Sequence, residues 1–241
     1  MAKGDFNFYK GQDPRELPTY GIPEASRYLR IPKATLHSWV LGRSYPIKSG
    51  SSSFRPLLTI SDKKGPYLLS FMNLVEAHVL NAIRQSHKIP LSKLGKALEF
   101  IKAEIPSKHV LADRKFATDG IDLFIKKLGH LANISEGRQQ AMQKLLKAHL
   151  RRITRDPSGR ATKLYLLTSN LRPKPPFDAP KAVVIDPFVS FGQPVLAGTG
   201  IATALIAARY KAGESIGELA GDYGRRSDEI EEAIRCELEA A

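Results

Sequence analysis

The sequence predicts a mainly α-helical α+β protein with short β hairpins, and three observations lead there. Apolar residues recur at helical spacing through Leu74, Val75, His78, Val79, Ala82 and Ile83, and again through Leu94, Leu98 and Ile101. Turn-forming runs such as Asp156-Pro157-Ser158-Gly159 stand between strand-like arms. Glycine and proline punctuate short helical patterns at both ends of the chain, at Pro23, Pro32 and Gly42 and again at Gly213 and Gly224.

The first unit spans residues 1–105. Ile22 to Leu29 reads as a short helix opened by Pro23, Arg30-Ile31-Pro32 as a turn, and Lys33 to Leu41 as a second helix ended by Gly42. Two short helices across a three-residue turn form a helix-turn-helix, with Ala25, Leu29, Leu36 and Val40 closing its core. Trp39 is expected to anchor that core rather than stack on a base. SGSSSF then reads as a flexible loop, and RPLLTISDKKGPYLLSF as two strands of a wing around Asp62 to Gly65. Ser70 caps a helix from Phe71 to Gln85, and Leu91 to Glu104 forms the next.

Residues 106–169 read as a small α+β module. Asp119-Gly120 signals a tight hairpin, Ser135 begins a helix through Met142, Leu145, Leu146 and His149, and Asp156 to Gly159 turns between two strands. His130 and His149 are expected on a helix face, and Arg151, Arg152 and Arg155 form a basic cluster, at a phosphate or at a solvated strand end. Residues 170–180, NLRPKPPFDAP, carry four prolines and read as a semi-rigid linker. Residues 181–241 follow as a β-arm, AVVID and QPVLAG, and a three-helix, helix-turn-helix-like bundle over Ile201–Ala212, Ser215–Asp222 and Ser227–Glu239. Ala204, Leu205, Ala208, Leu219, Ile230 and Ile234 supply its apolar positions.

Several chemistries lack a basis in this sequence. GQPVLAGTGI is no phosphate loop, because five residues separate Gly192 from Gly198 and Thr199 stands where the lysine belongs. The dinucleotide fingerprint fails at Thr203, which replaces its third glycine. One cysteine, Cys236, precludes an internal disulfide and reads as an apolar filler, and the six histidines form no pair at metal-ligand spacing. No cofactor or metal is implied, and no Gly-x-Ser-x-Gly elbow argues for an enzyme. No apolar run is long enough to span a membrane and the N-terminus lacks a signal-peptide core, so a cytoplasmic location is expected.

The formal net charge of +13 points instead to a polyanionic partner. Residues 1–60 carry nine Lys/Arg against four Asp/Glu, residues 61–180 twenty-two against ten, and residues 181–241 six against ten. The C-terminal quarter is therefore acidic and invites a different partner. In the first unit the second helix offers Lys33, Thr35, His37 and Ser38 to a major groove, with Arg43, Lys48 and Arg55 near the backbone and Lys63 and Lys64 at the wing tip. The last helix, SDEIEEAIRCELE, carries six carboxylates that phosphates would repel. The acidic bundle suits homodimerisation or a basic protein partner instead, with Val184, Val195, Leu205, Ile230 and Ile234 as the candidate contacts.

GIPEASRYLRIPKATLHSW with its wing and following helices resembles the winged helix-turn-helix of MerR-type DNA-binding domains. The C-terminal run is similar to the small domain of unknown function in VapB-like antitoxins, through Asp186-Pro187, Gly192-Gln193-Pro194, Gly198-Thr199-Gly200-Ile201, Ala212-Gly213-Glu214-Ser215 and Asp222-Tyr223. Gly200 replaces an arginine typical of that family, so contacts made by that arginine do not carry over. The pairing of modules resembles long VapB-like antitoxins. It implies a dimeric repressor that binds double-stranded operator DNA and blocks a PIN-like ribonuclease toxin. The alternative is a ligand-responsive transcription regulator without a toxin, its effector held by residues 106–169.

Overall fold

The computed structural model describes residues 9–47, 50–61, 65–86, 89–168 and 179–238. A two-residue strand β1 (Tyr20–Gly21) leads into α1 (Ile22–Leu29), and α2 (Lys33–Leu41) follows after a turn in which Arg30 adopts the left-handed conformation. Pro23 sits in the first turn of α1, where no helical donor is lost. Ala25, Leu29, Leu36 and Val40 are buried as expected, and Trp39 is fully enclosed.

The hairpin lies earlier than the sequence reading places it. Arg43–Ile47 (β2) pairs antiparallel with Gly50–Phe54 (β3), so SGSSSF supplies a strand where a loop was expected. Two constraints put it there. Gly42 turns the chain at φ 77°, where an added Cβ would lie 2.4 Å from the Phe54 carbonyl oxygen. The N–H groups of Leu57 and Leu58 both donate to the Trp39 carbonyl oxygen, at 2.8 and 3.0 Å, and Leu57, Leu58 and Ile60 are buried. The segment read as the first wing strand is thus consumed in closing the helix-turn-helix core. Leu68–Leu69 (β4) returns to pair with β1, and Asp62, Lys63 and Lys64 lie outside the described residues.

Helix α3 (Phe71–Ser86) is the axis of the molecule, buried on every side from Phe71 to Leu80. Ser70 caps it, its Oγ accepting the Asn73 N–H at 3.2 Å. Helix α6 (Glu136–Leu150) packs along it, α5 (Ile121–Ala132) lies against α6, and α4 (Leu91–Glu104) lies against α5. The expected hairpin at Asp119-Gly120 is instead a π-helical turn, Phe116–Gly120, running straight into α5. Phe116, Ile121, Phe124 and Leu128 are all buried at helical spacing, and Gly120 is closely approached by Ile105 and Phe116. Tertiary packing thereby overrides the local turn signal.

The chain then forms one antiparallel sheet in the order β5 (Ile153–Arg155), β6 (Ala161–Tyr165), β7 (Val183–Ile185), β8 (Pro194–Leu196). The Asp156–Gly159 turn joins β5 to β6 as expected. Leu164 pairs with Ile185 and Tyr165 with Val184, so the C-terminal arm completes a sheet begun by the middle segment. Helices α7 (Thr203–Lys211), α8 (Ile216–Tyr223) and α9 (Ser227–Glu237) enclose a smaller core of Leu196, Ile206, Leu219, Ile230, Ala233 and Ile234. Helix α9 also reaches the first unit. Arg27 of α1 pairs with Glu237 at 3.2 Å, Arg30 donates to the Arg235 carbonyl oxygen, and Cys236 is buried in the main core, where burial pushes its thiol up to about 12.

Candidate nucleic-acid interface

Helix α2 turns Leu36, Trp39 and Val40 inward, which leaves Lys33 and His37 exposed one turn apart and Thr35 half-buried beside them. Ser38 does not join this face. It is buried, and its Oγ donates to the Thr35 carbonyl oxygen at 2.7 Å, so its hydroxyl is committed within the helix. Arg43 at the start of β2 and Arg55 just after β3 are exposed at the root of the hairpin. Lys48, Lys63 and Lys64 lie outside the described residues.

Behind the hairpin a cleft of about 850 Å³ opens toward α4. Phe54, Leu57, Leu91 and Leu98 give it an apolar floor, and Gly95 keeps that floor open beneath Phe54 and Leu57. Its charged lining is Arg43, Arg55, Arg84, Lys96 and Lys102 against the single carboxylate of Glu99. Among the described residues none of these five cations is ion-paired. Arg84, Lys96 and Lys102 are absent from the sequence-based site. Each reads locally as an ordinary solvated helix residue, and only the packing of α4 beside the hairpin brings them to Arg43 and Arg55.

Other cations are consumed internally, which sharpens the contrast. The cluster Arg151, Arg152 and Arg155 is dispersed. Arg151 is exposed, whereas Arg152 is 2% exposed and grips backbone carbonyls, and Arg155 is held by the carbonyl oxygens of Ala112 and Gly159. Arg15 and Arg160 join Asp13, Glu16 and Asp156 in a network that fastens the N-terminal segment to the β5–β6 turn.

The middle module holds a smaller opening. A cavity of about 250 Å³ there is bordered by Glu16, Lys108, His109, Asp113 and Arg160, and Glu16 ties Lys108, His109 and Arg160 into ion pairs. His130 and His149 both stand on helix faces, His130 on the exposed face of α5 and His149 on the buried face of α6, with its Nδ1 3.2 Å from Nε2 of His78. Among the described residues no three His, Cys, Asp or Glu side chains group as a metal site, and no helix is long and apolar enough to cross a membrane.

Of the candidate partner contacts, Val184, Val195, Ile230 and Ile234 are buried in the chain's own cores, which corrects their assignment to a surface. Leu205 is 53% exposed and remains available.

Residues 18–98 match the family model described as "Putative DNA-binding HTH domain", which spans the helix-turn-helix, the hairpin and the start of α4. Residues 183–235 match "Protein of unknown function (DUF433)", which spans β7 to α9. The chain is 26% identical over 234 residues to "Putative antitoxin VapB45" of Mycobacterium tuberculosis, covering 91% of this chain and 93% of that protein. It is 24% identical over 227 residues to "Uncharacterized protein Rv2308" of the same organism, covering 91% and 89%. The crystal structure of Rv2018 from Mycobacterium tuberculosis shares the fold at a TM-score of 0.63 and 24% identity, over 91% of this chain and 98% of that one. The chain thus joins an N-terminal segment similar to a putative DNA-binding helix-turn-helix domain to a C-terminal segment similar to DUF433, and over nearly its whole length it is similar to a protein named as an antitoxin.

Proposed function

We propose that this protein is a DNA-binding antitoxin that represses its own operon and neutralises a PIN-like ribonuclease. One observation carries the DNA half: α2 exposes Lys33 and His37, and a cleft that Ser38 of the same helix helps to line holds five cations, none ion-paired among the described residues, and one carboxylate. Lys33, Arg43, Arg55, Arg84, Lys96 and Lys102 take backbone phosphates, where each neutralised phosphate releases counterions, while Thr35 and His37 reach base edges. The similarity to a protein named as an antitoxin supports the toxin half. The protein acts by binding, as a regulator rather than an enzyme.

The test is fluorescence anisotropy with duplex DNA from upstream of its own gene. With about six phosphates neutralised per chain, affinity is expected to fall by roughly three orders of magnitude between 50 and 200 mM salt. Lys33→Ala and Arg55→Ala should weaken specific and random duplexes alike, by about 1 kcal/mol each, whereas His37→Ala should cost about 1–2 kcal/mol on the specific duplex and little on random DNA. Binding that ignored salt, or that survived all three substitutions unchanged, would place the DNA elsewhere on the molecule.

A further inference from the structure

We infer that the apolar surface formed by residues 188–191 and the outer face of α7 docks a basic protein, and that this protein is the ribonuclease required by the antitoxin reading, on which the partner's identity rests. Tyr67 and Leu123 are large exposed apolar side chains that stand apart in the sequence, whereas Phe188, Phe191, Leu205 and Tyr210 fall within one short stretch. Phe191 is the most exposed of all these, at 64%.

Its backbone shows that it is presented rather than merely left outside. Ser190 and Phe191 both adopt left-handed φ values, 48° and 54°, and Gly192 continues the turn at 76°. Side-chain-bearing residues avoid this region, and successive occupancy persists only where the surroundings impose it. Here they do. The buried hydroxyl of Tyr20, in β1, donates to the Gly192 carbonyl oxygen at 2.8 Å, and a Cβ on Gly192 would lie 2.3 Å from that hydroxyl. Asp186 Oδ1 accepts the Phe188 N–H at 2.9 Å. Ser190 Oγ donates to the Gly200 carbonyl oxygen at 3.2 Å, which ties the turn to the segment entering α7. Ala204, Leu205 and Ala208 are exposed on that helix, so an apolar face begins within a few residues of the segment that anchors the aromatic turn.

Charge decides what covers this surface. One turn beyond Leu205, Arg209 is shared between Glu214 and Asp222, and Glu218 stands exposed on the same helix as Asp222. Lys211 is the other cation in this stretch, and Arg15, 5.9 Å from the Phe188 ring centroid, is already paired with Asp13 and Asp156. The segment 181–241 as a whole carries ten carboxylates against six cations. A second copy meeting this face about a two-fold axis would set these carboxylates against themselves. A second copy offering its basic N-terminal unit would make a head-to-tail contact, which propagates into open chains unless the rotation closes. A different protein with a cationic face around an apolar pocket meets neither difficulty. A nuclease that binds polyanionic RNA has the required charge.

The experiment titrates the full-length chain with the ribonuclease encoded beside its gene, by calorimetry, and compares Phe191→Gly and Leu205→Arg. Phe191→Gly removes the aromatic ring and also relieves the left-handed backbone, so its thermal midpoint should hold or rise while affinity for the nuclease falls at least tenfold. Leu205→Arg, a good helix former at an exposed position, should lower affinity at least tenfold by setting a cation against a cationic partner. Both variants should bind DNA as wild type does. Wild-type affinity in both variants would overturn the docking surface, and so would a change from dimer to monomer in sedimentation with nuclease binding unaltered. A wild-type chain that fails to bind the nuclease would instead overturn the antitoxin reading itself.

Discussion

Arg152→Ala is expected to lower the stability of the fold by more than about 3 kcal/mol, read as a fall in the urea midpoint at neutral pH. The Arg152 guanidinium is buried where α6 runs into β5, and it donates to the carbonyl oxygens of Tyr165 at 2.9 Å, Leu166 at 2.7 Å, Ala179 at 3.0 Å and Pro180 at 2.8 Å. These carbonyls lie at the end of β6 and just ahead of β7, so one side chain fastens the two segments whose strands pair. Burial lowers its pKa to about 10, with Glu232 as the carboxylate that opposes this, so it stays charged at pH 7. Truncation leaves buried acceptors without donors, at about 1–3 kcal/mol for each that water does not reach. Arg152→Lys should recover only part of the loss, since a single ammonium lacks the planar fork that serves several carbonyls at once. Arg55→Ala, at the exposed edge of the cleft, should leave the midpoint unchanged while weakening DNA binding. An Arg152→Ala chain as stable as wild type would mean that β6 and β7 hold together without this clasp.

The two arginines mark what the sequence made legible. Helix limits were readable where backbone chemistry is local: Pro23 and Pro32 open α1 and α2, Gly42 closes α2, and all three stand where the helices begin and end. Ser70, Ser135 and the Asp156–Gly159 turn were readable for the same reason. Asp119-Gly120 misled because a turn dipeptide is a weak local preference, and the apolar spacing of Phe116, Ile121, Phe124 and Leu128 outweighs it. The hairpin was displaced because Leu57 and Leu58 look like half-buried strand residues in sequence but serve as a lid on Trp39. On the candidate interface, α2 announced Lys33, Thr35 and His37, whereas the cations of α3 and α4 become a site only through tertiary contact with the hairpin. Arg152 and Arg155 looked like surface charge because nothing local reveals a remote row of carbonyls. In the same way His78 and His149 lie seventy-one positions apart and meet only in the packed interior.

That histidine pair should make the fold acid-sensitive well above the range in which carboxylates titrate. His149 faces His78 of α3 on one side and the charged Arg152 on the other; burial, then the Arg152 charge, lowers its pKa to about 4 from 6.5. Burial and His149 hold His78 well below its ordinary value too. Both rings are neutral in the folded chain at pH 6, while the unfolded chain binds protons there. Folding stability is therefore complete above about pH 6.5 and is lost as pH falls toward the folded values. For His149 alone the shift corresponds to roughly 2 kcal/mol lost by pH 5 and about 3 kcal/mol below pH 4. His109 works in the opposite sense. Burial depresses it, but Glu76 at 2.9 Å and Glu16 at 3.1 Å outweigh that and raise its pKa, so its contribution is present in acid and lost as pH rises through the folded value. The measurement is the urea midpoint from pH 7.5 to 4.5 for wild type and for His149→Gln, whose amide can still hydrogen-bond but does not titrate. Wild type should lose stability across this interval, and His149→Gln should lose less by about 2 kcal/mol at pH 5. Parallel curves for the two chains would show that His149 keeps an ordinary pKa and that Arg152 is screened from it.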